Sequence, residues 1–382
     1  MYDIAIIGEG LSGLLTALAA SEQGWRTALV TKGVGRLVQS SGVIDLIPGQ
    51  EASLDDWLQF HGLRASDKQS VIQAVTHFQK LMNQLHLPYH GSAVHPVSLI
   101  TAAGQLKQSV LYPESFTPIP EKGTIVFVSF DALPDFQGSF AGACLAAKRP
   151  DLSVGELTVH LNTDSERPLN PLDIARLLEQ RAVRQDCIDQ IRSQLSRRSL
   201  PSPDLLVFPA VLGIAANSET LADFQQAFSA LITEAPGLPP NATAWRLFQT
   251  LRQEALRRGV RFYMDTSVNR ATRSGNRLQT LNCQSACRSF ELRASHIVLA
   301  TGGVLGGGLD KTGNGMHETA LDLTYDSYGR LLDRPENLHL VGAALGEQHT
   351  SCGITGGLFT IFSCAQAIQT ILFEKEGCES HA

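Results

Sequence analysis

The sequence contains no run of lysine or arginine, and its formal net charge is −6 at neutral pH. An acidic balance without a basic face argues against nucleic acid as the main ligand. It leaves room for a small local basic pocket. The seven cysteines (Cys144, Cys187, Cys283, Cys287, Cys352, Cys364 and Cys378) are odd in number and scattered. That pattern excludes a disulfide framework and reads as reduced, cytosolic thiols. Cys283 and Cys287 lack a second thiol or histidine pair at ligand spacing, so no metal is expected there. No four cysteines are grouped as an iron–sulfur centre requires. There is no internal repeat and no low-complexity tract. Met1-Tyr2-Asp3 runs straight into an apolar segment without a basic leader, so no signal peptide is expected. The longest apolar stretch, Ile354 to Phe373, is interrupted by Cys364, Gln366, Gln369 and two glycines. It reads as a buried or membrane-peripheral helix and falls short of a good membrane span.

What is present is an ordinary globular composition, with 43% hydrophobic and 18% charged residues, ample for a large core. The length of 382 residues suggests two to three domains. Many of the glycines fall in short clusters, which mark close approach of backbone to a ligand.

The organisation follows from periodicity. Asp3 to Ile7 is a continuous apolar run ending in glycines, the signature of a buried parallel strand. From Leu11 to Gln23, residues Leu11, Leu14, Leu15, Leu18 and Ala19 share a helical face, and Gly24 closes the helix. Thr27 to Thr31 completes a βαβ unit. Asp67 to Leu87 reads as an amphipathic helix stopped by Pro88, and Thr124 to Phe130 as a strand. Asn170-Pro171 starts a helix that is expected to run past Cys187. Leu205 to Ala216 is either strand, turn and strand or a core segment around a pocket. Trp245 to Arg258 is a helix closed by Gly259. Four short strands are expected after it: Val260 to Met264, Arg277 to Leu281, Ser289 to Arg293 and His296 to Ala300. The fold class is therefore α/β: a discontinuous Rossmann-like, dinucleotide-type domain (residues 1–44 and 241–382) with a large inserted α+β domain (45–240).

Four motifs carry the chemistry. In Gly8-Glu9-Gly10-Leu11-Ser12-Gly13, which follows a strand and opens a helix, Gly8 permits the turn and Gly10 lets amides approach a phosphate. Gly13 lets helix and strand pack closely, and the helix N-terminus favours an anion. The Glu9 carboxylate is expected to point away from that anion. Thr31 stands where an acidic residue commonly holds the adenosine ribose. Ser40-Ser41-Gly42 offers small residues to line a flavin. Ala300-Thr301-Gly302-Gly303 ends a strand, and Gly342-Ala343 follows another. After that come Gly353, Gly356 and an apolar helix.

On Ile6 to Leu14, Ser40-Ser41-Gly42-Val43-Ile44-Asp45-Leu46, Phe127 to Phe136, Met316-His317-Glu318 and Asn337 to Gly357, the chain resembles the fumarate reductase-like group of flavoproteins. Within that group it most resembles the B-type subunits of anaerobic glycerol-3-phosphate dehydrogenases, in order along most of the chain. The resemblance implies a non-covalent flavin, FMN or alternatively FAD. It also implies two partners: an FAD-bearing A-type subunit, and an iron–sulfur C-type subunit that anchors the complex at the inner membrane. The implied reaction is oxidation of sn-glycerol 3-phosphate to dihydroxyacetone phosphate, with electrons passed to quinone. Thr31 and Ala343 depart from larger FAD relatives in a way that fits the shorter flavin.

That oxidation needs a base near the hydroxyl and cations for the phosphate. His317 is the best base candidate, ahead of His90, His95 and His349; Arg36, Lys311 and Arg330 are candidate phosphate ligands. Three readings stay open. The chain is an FMN-bearing relay subunit, a self-sufficient FAD dehydrogenase of a small anion, or an assembly subunit with a degenerate flavin fold.

Overall fold

The computed structural model describes residues 1–47, 51–162, 167–197, 202–312, 315–326, 330–346 and 356–379. Strand β1 (Tyr2–Ile7), helix α1 (Leu11–Glu22) and strand β2 (Thr27–Val30) form the opening βαβ unit. The helix is buried on most of its sides because it is sandwiched between the sheet and two later helices, α2 (Ala242–Arg257) and α3 (Gly356–Glu379). This explains its nearly uniform run of Leu and Ala.

Three later strands complete a parallel sheet around β1. They are β3 (Arg261–Tyr263) on the far side of β2, β4 (Ser289–Leu299) beside β1, and β5 (Leu338–Leu340) beyond β4. Ile6 lies level with Leu29 on one side and Val298 on the other. The strand Val260 to Met264 is thus found, trimmed to three residues.

The two strands expected at 289–293 and 296–300 are one. β4 runs unbroken, its first half antiparallel to the strand Arg277–Ser285 and its second half parallel to β1. Ala294 and Ser295 interrupt the apolar alternation, but hydrogen bonding continues through them from β1. A further strand, Thr266–Ser274, completes the antiparallel ribbon and is too polar to be read from periodicity.

A second core surrounds a four-stranded parallel sheet in the order Leu231–Ala235, Leu205–Pro209, Gly123–Phe130, Leu152–Val159. The helix begun by Asn170 stops at Leu178, and a new one runs from Arg181 to Arg197. The break has a cause: the Glu179 carboxylate turns aside to accept the amides of Ile214 (2.6 Å) and Ala216 (3.0 Å). Those bonds, with Leu212 N–H donating to Glu234 (2.7 Å), hold 211–216 as a turn, buried at 211–213 and reaching the surface at Ala215, and not as a second strand. The helices Leu54–Phe60 and Lys68–Gln84 pack elsewhere, in the core shared with α1 and α3.

One described helix, α3, is long and apolar enough by composition to cross a membrane. Half of that apolar window is buried in the fold, where Leu358, Ile361, Ile368 and Ile371 pack in the first core.

Candidate flavin site

A cavity of about 1020 Å³ opens at the carboxyl end of β1. At its centre is the N-terminus of α1. Gly10 is the cap residue and no side chain caps the helix, so its first amide donors are left for a ligand. A Cβ on Gly10 would meet no protein atom within 4 Å. The neighbouring glycines are tight. Gly8 has φ +114°, and a Cβ there would lie 2.3 Å from the Ala300 carbonyl oxygen; one on Gly13 would lie 1.9 Å from that of Gly8. The first motif thus divides as its spacing requires: two glycines for packing and one facing open space.

The wall segments meet in pairs. Thr266 N–H donates to the Thr31 carbonyl (2.9 Å), which sets Thr266 to Asn269 beside Thr31 to Gly35 on the cavity wall. Elsewhere on the wall Gly357 packs against Ile44, with Ser40, Gly42, Val43 and Thr360 also in the lining. Ala300 to Gly308 closes the side next to Gly8.

Gly8, Gly10, Thr31, Ser40, Gly42, Ala300, Thr301, Gly302, Gly303 and Gly356 are all on the wall. Gly13 is behind it, in the helix–strand contact. Ser41 is off the wall between two residues that line it. Gly342 is also off the wall, donating its amide to Ser363 (2.9 Å), while its neighbour Ala343 lines the cavity. Gly353, with Cys352 and His349, lies outside the described residues. The Thr31 hydroxyl donates to the Gly33 carbonyl (2.6 Å) and lies within reach of the Glu9 carboxylate.

His317 is not on the wall. Its Nε2 lies 2.7 Å from Asp322, on the outer face of the strand Gly315–Glu318. Alternation along that strand instead sends its neighbour Glu318 inward, where it is fully buried. Glu318 accepts the amides of Ala320 (3.0 Å) and Leu321 (2.6 Å) and lies 3.4 Å from the Thr301 hydroxyl. Burial raises its pKa, opposed by those three donors. Of the other candidates, Arg36 lines the cavity and donates to the Leu305 carbonyl (2.7 Å). Arg330 pairs with Asp326 (3.2 Å), and His90, His95 and Lys311 lie off the wall.

Three residues that periodicity does not reveal shape the site. Arg252 of α2 holds Glu9 at 2.6 Å. Asn241 caps α2 through Oδ1 and donates Nδ2 to the Ser40 carbonyl (2.7 Å), and Tyr89 donates its hydroxyl to the Gly42 carbonyl (2.6 Å). Asn before Ala242 carried a cap signal; nothing local marked the other two.

The sequence matches the family described as FAD binding domain over residues 3–355. The chain belongs to this family. As a member it binds a flavin, and the uncapped helix, the open Gly10 and the small-residue walls fit such a ligand. The flavoprotein is similar to a Vibrio cholerae O1 (strain O395) protein named as the B subunit of anaerobic glycerol-3-phosphate dehydrogenase. They are 27% identical over 350 residues, covering 84% of this chain and 78% of the relative. A Haemophilus influenzae Rd protein of the same name is 25% identical over 338 residues, covering 81% and 76%. Among solved structures, 3-ketosteroid Δ1-dehydrogenase from Sterolibacterium denitrificans is 18% identical with a TM-score of 0.37, over 79% of this chain and 48% of that one. A variant of E. coli quinol fumarate reductase is 14% identical, with a TM-score of 0.33, over 79% and 33%. The flavoprotein spans less than half the length of these two solved chains.

Proposed function

We propose that this flavoprotein is the B-type subunit of an anaerobic glycerol-3-phosphate dehydrogenase complex. The observation that carries the reading is the shared name of relatives aligned over 84% of the chain, joined to a flavin-binding family match. In the complex, sn-glycerol 3-phosphate gives up a hydride and a proton to become dihydroxyacetone phosphate, and the electrons continue to quinone. The partners would be an FAD-bearing A-type subunit, together with an iron–sulfur C-type subunit. The assembly would lie on the cytoplasmic side, peripheral to the inner membrane.

We assign FAD, and not FMN, as the cofactor. The family is an FAD-binding one, and the cavity lining extends to both sides of the α1 N-terminus. The lining at Thr31 to Gly35 and Thr266 to Asn269 suits an adenosine half; the lining at Ile44 and Gly357 suits the ring. Loss of the ribose acid at Thr31 is then a local change of partner. When bound, the flavin supplies a two-electron acceptor. The chain's own residues contribute amide donors at Gly10 to Ser12 for the phosphates, and Val43, Ile44, Gly357 and Thr360 would wall the ring. Arg36, a wall cation, suits the diphosphate.

The flavin domain is read as residues 1–44 and 241–382 with 45–240 inserted. The second sheet, 123–235, lies wholly within the insertion, whereas the inserted helices Leu54–Phe60 and Lys68–Gln84 pack in the flavin domain's core.

The test is co-expression with the candidate partner subunits and mass analysis of the released cofactor. Adenine-containing flavin bound at one per chain and reduced by sn-glycerol 3-phosphate in the complex is the expected result. A stoichiometric flavin without adenine would overturn the cofactor assignment; no reduction by that substrate in the intact complex would overturn the activity.

A further inference from the structure

On the face of the parallel sheet covered by α3, three donor atoms converge outside the flavin cavity. Val298 on β4 pairs with His339 on β5, so His296, two residues before Val298, projects from the same face as His339. Helix α3 packs there, in a core shared by Val298, Val341, Ile368 and Ile371, and brings Glu374 over the two rings. His296 Nδ1 lies 3.3 Å from His339 Nε2. Glu374 Oε2 lies 3.5 Å from the first and 3.7 Å from the second.

We propose that His296, His339 and Glu374 form a zinc site that clamps the last helix to the parallel sheet.

Hydrogen bonding accounts for the contact between the two imidazoles but not for the carboxylate above them. Both carboxylate contacts are well beyond the ~2.7–2.9 Å of a charge-assisted bond, although the two imidazoles are buried. A metal does account for it. A point equidistant from three atoms at these separations lies about 2.0 Å from each, the zinc–imidazole and zinc–carboxylate bond length. Two histidines, one glutamate and a water make a familiar tetrahedral zinc set, and the Glu374 side chain, 40% exposed, leaves one side open to that water. Mixed nitrogen and oxygen donors favour zinc over magnesium or calcium, which take oxygen ligands.

The surrounding charges are mixed. Arg277, Arg334 and Lys375 face the cluster and Asp3 lies on its acidic side. Those cations make the site weaker than a zinc finger's. Its consequence is mechanical: α3 begins with Gly356, Gly357 and Thr360 on the flavin wall, so the clamp fixes the other end of the helix that closes the cofactor site.

The experiment uses the full chain stripped with chelator, then titrated with zinc chloride by calorimetry and thermal unfolding, and with Co(II) by absorption. Expected are one equivalent of bound zinc, a higher melting temperature, and tetrahedral Co(II) bands without thiolate charge transfer. Glu374→Gln and His339→Gln should each weaken zinc binding more than about tenfold. Glu374 is partly exposed, so E374Q tests the site even if loss of a buried imidazole unfolds the chain. No stoichiometric binding, unchanged affinity in E374Q, or a thiolate band in the Co(II) spectrum would each overturn the proposal.

Discussion

The Glu9 carboxylate meets the Arg252 guanidinium at 2.6 Å, joining the turn between β1 and α1 to helix α2 across 243 residues of sequence. Glu9 is 3% exposed, and burial raises its pKa against the opposing pull of Arg252. Removing the guanidinium in Arg252→Ala leaves the buried carboxylate with the Thr31 hydroxyl alone, a loss of about 3 kcal/mol. Urea unfolding of the flavin-free chain should show it. The double variant Glu9→Gln with Arg252→Ala should recover much of the loss; if it is no better than the single variant, the pair is not what holds the turn.

The first glycine turn makes a sharper separation. Gly10 has φ −81° and ψ −173°, which alanine also adopts, and open space beside it. Gly10→Ala should therefore fold with near-normal stability of the flavin-free protein yet lose flavin affinity, because the new methyl projects into the cavity. Gly13→Ala meets backbone at 1.9 Å and should destabilise the fold itself. Flavin fluorescence titration and thermal unfolding on both variants distinguish the two roles.

Asn241 offers a test of the Ser40 to Gly42 loop. Its Oδ1 accepts the Ala244 amide (3.0 Å) while its Nδ2 donates to the Ser40 carbonyl. Asn241→Asp keeps the helix cap but faces a carbonyl with a carboxylate. The expected cost is about 1–3 kcal/mol, with weaker flavin retention, whereas the cap alone predicts no change. Retention of flavin during gel filtration is the readout.

Glu318 supports the Ala300 to Gly303 turn from below. In Glu318→Ala two buried amides lose their acceptor, at roughly 1–3 kcal/mol each. Glu318→Gln keeps one acceptor oxygen and should lose less. His317→Gln, on the outer face, should leave flavin affinity unchanged; a large loss there would show that the face assignment is wrong.

A pH dependence follows from Glu254. Hydrogen bonding from Arg257, joined by Arg258, holds its pKa at about 2. An unfolded glutamate titrates near about 4.3. A carboxylate depressed in the folded state contributes stability above the unfolded value and loses it as pH falls toward the folded one. Arg257 is mostly exposed, so screening limits the contribution to about 1 kcal/mol. The gap in unfolding free energy between wild type and Glu254→Gln should be full at pH 7 and narrow as the pH is lowered from the unfolded toward the folded value.

The opening βαβ unit was legible because its information is local: an apolar run, glycines at fixed spacing and a helical apolar face within about thirty residues. The single strand β4 was not, because Ala294 and Ser295 look like a gap until β1 supplies hydrogen bonds beside them. The stop after Leu178 depends on Glu179 answering amides at 214 and 216, a contact with no trace in either segment alone. At the site, glycines announce themselves while their supports do not. Arg252 and Tyr89 are ordinary core-side residues until the chain returns on itself. His317 drew attention as a histidine near glycines, yet strand alternation gave the inward position to Glu318.

The unbroken course of β4 has a practical consequence. Cys287, at the exposed bend leading into it, sits at one end of an 11-residue strand whose other end delivers Ala300 to the flavin wall. The strand is a natural ruler of roughly 35 Å. A fluorescent dye on that thiol would stand at a fixed distance from the proposed cofactor site, and quenching of its emission by bound flavin would report occupancy without any reaction being run.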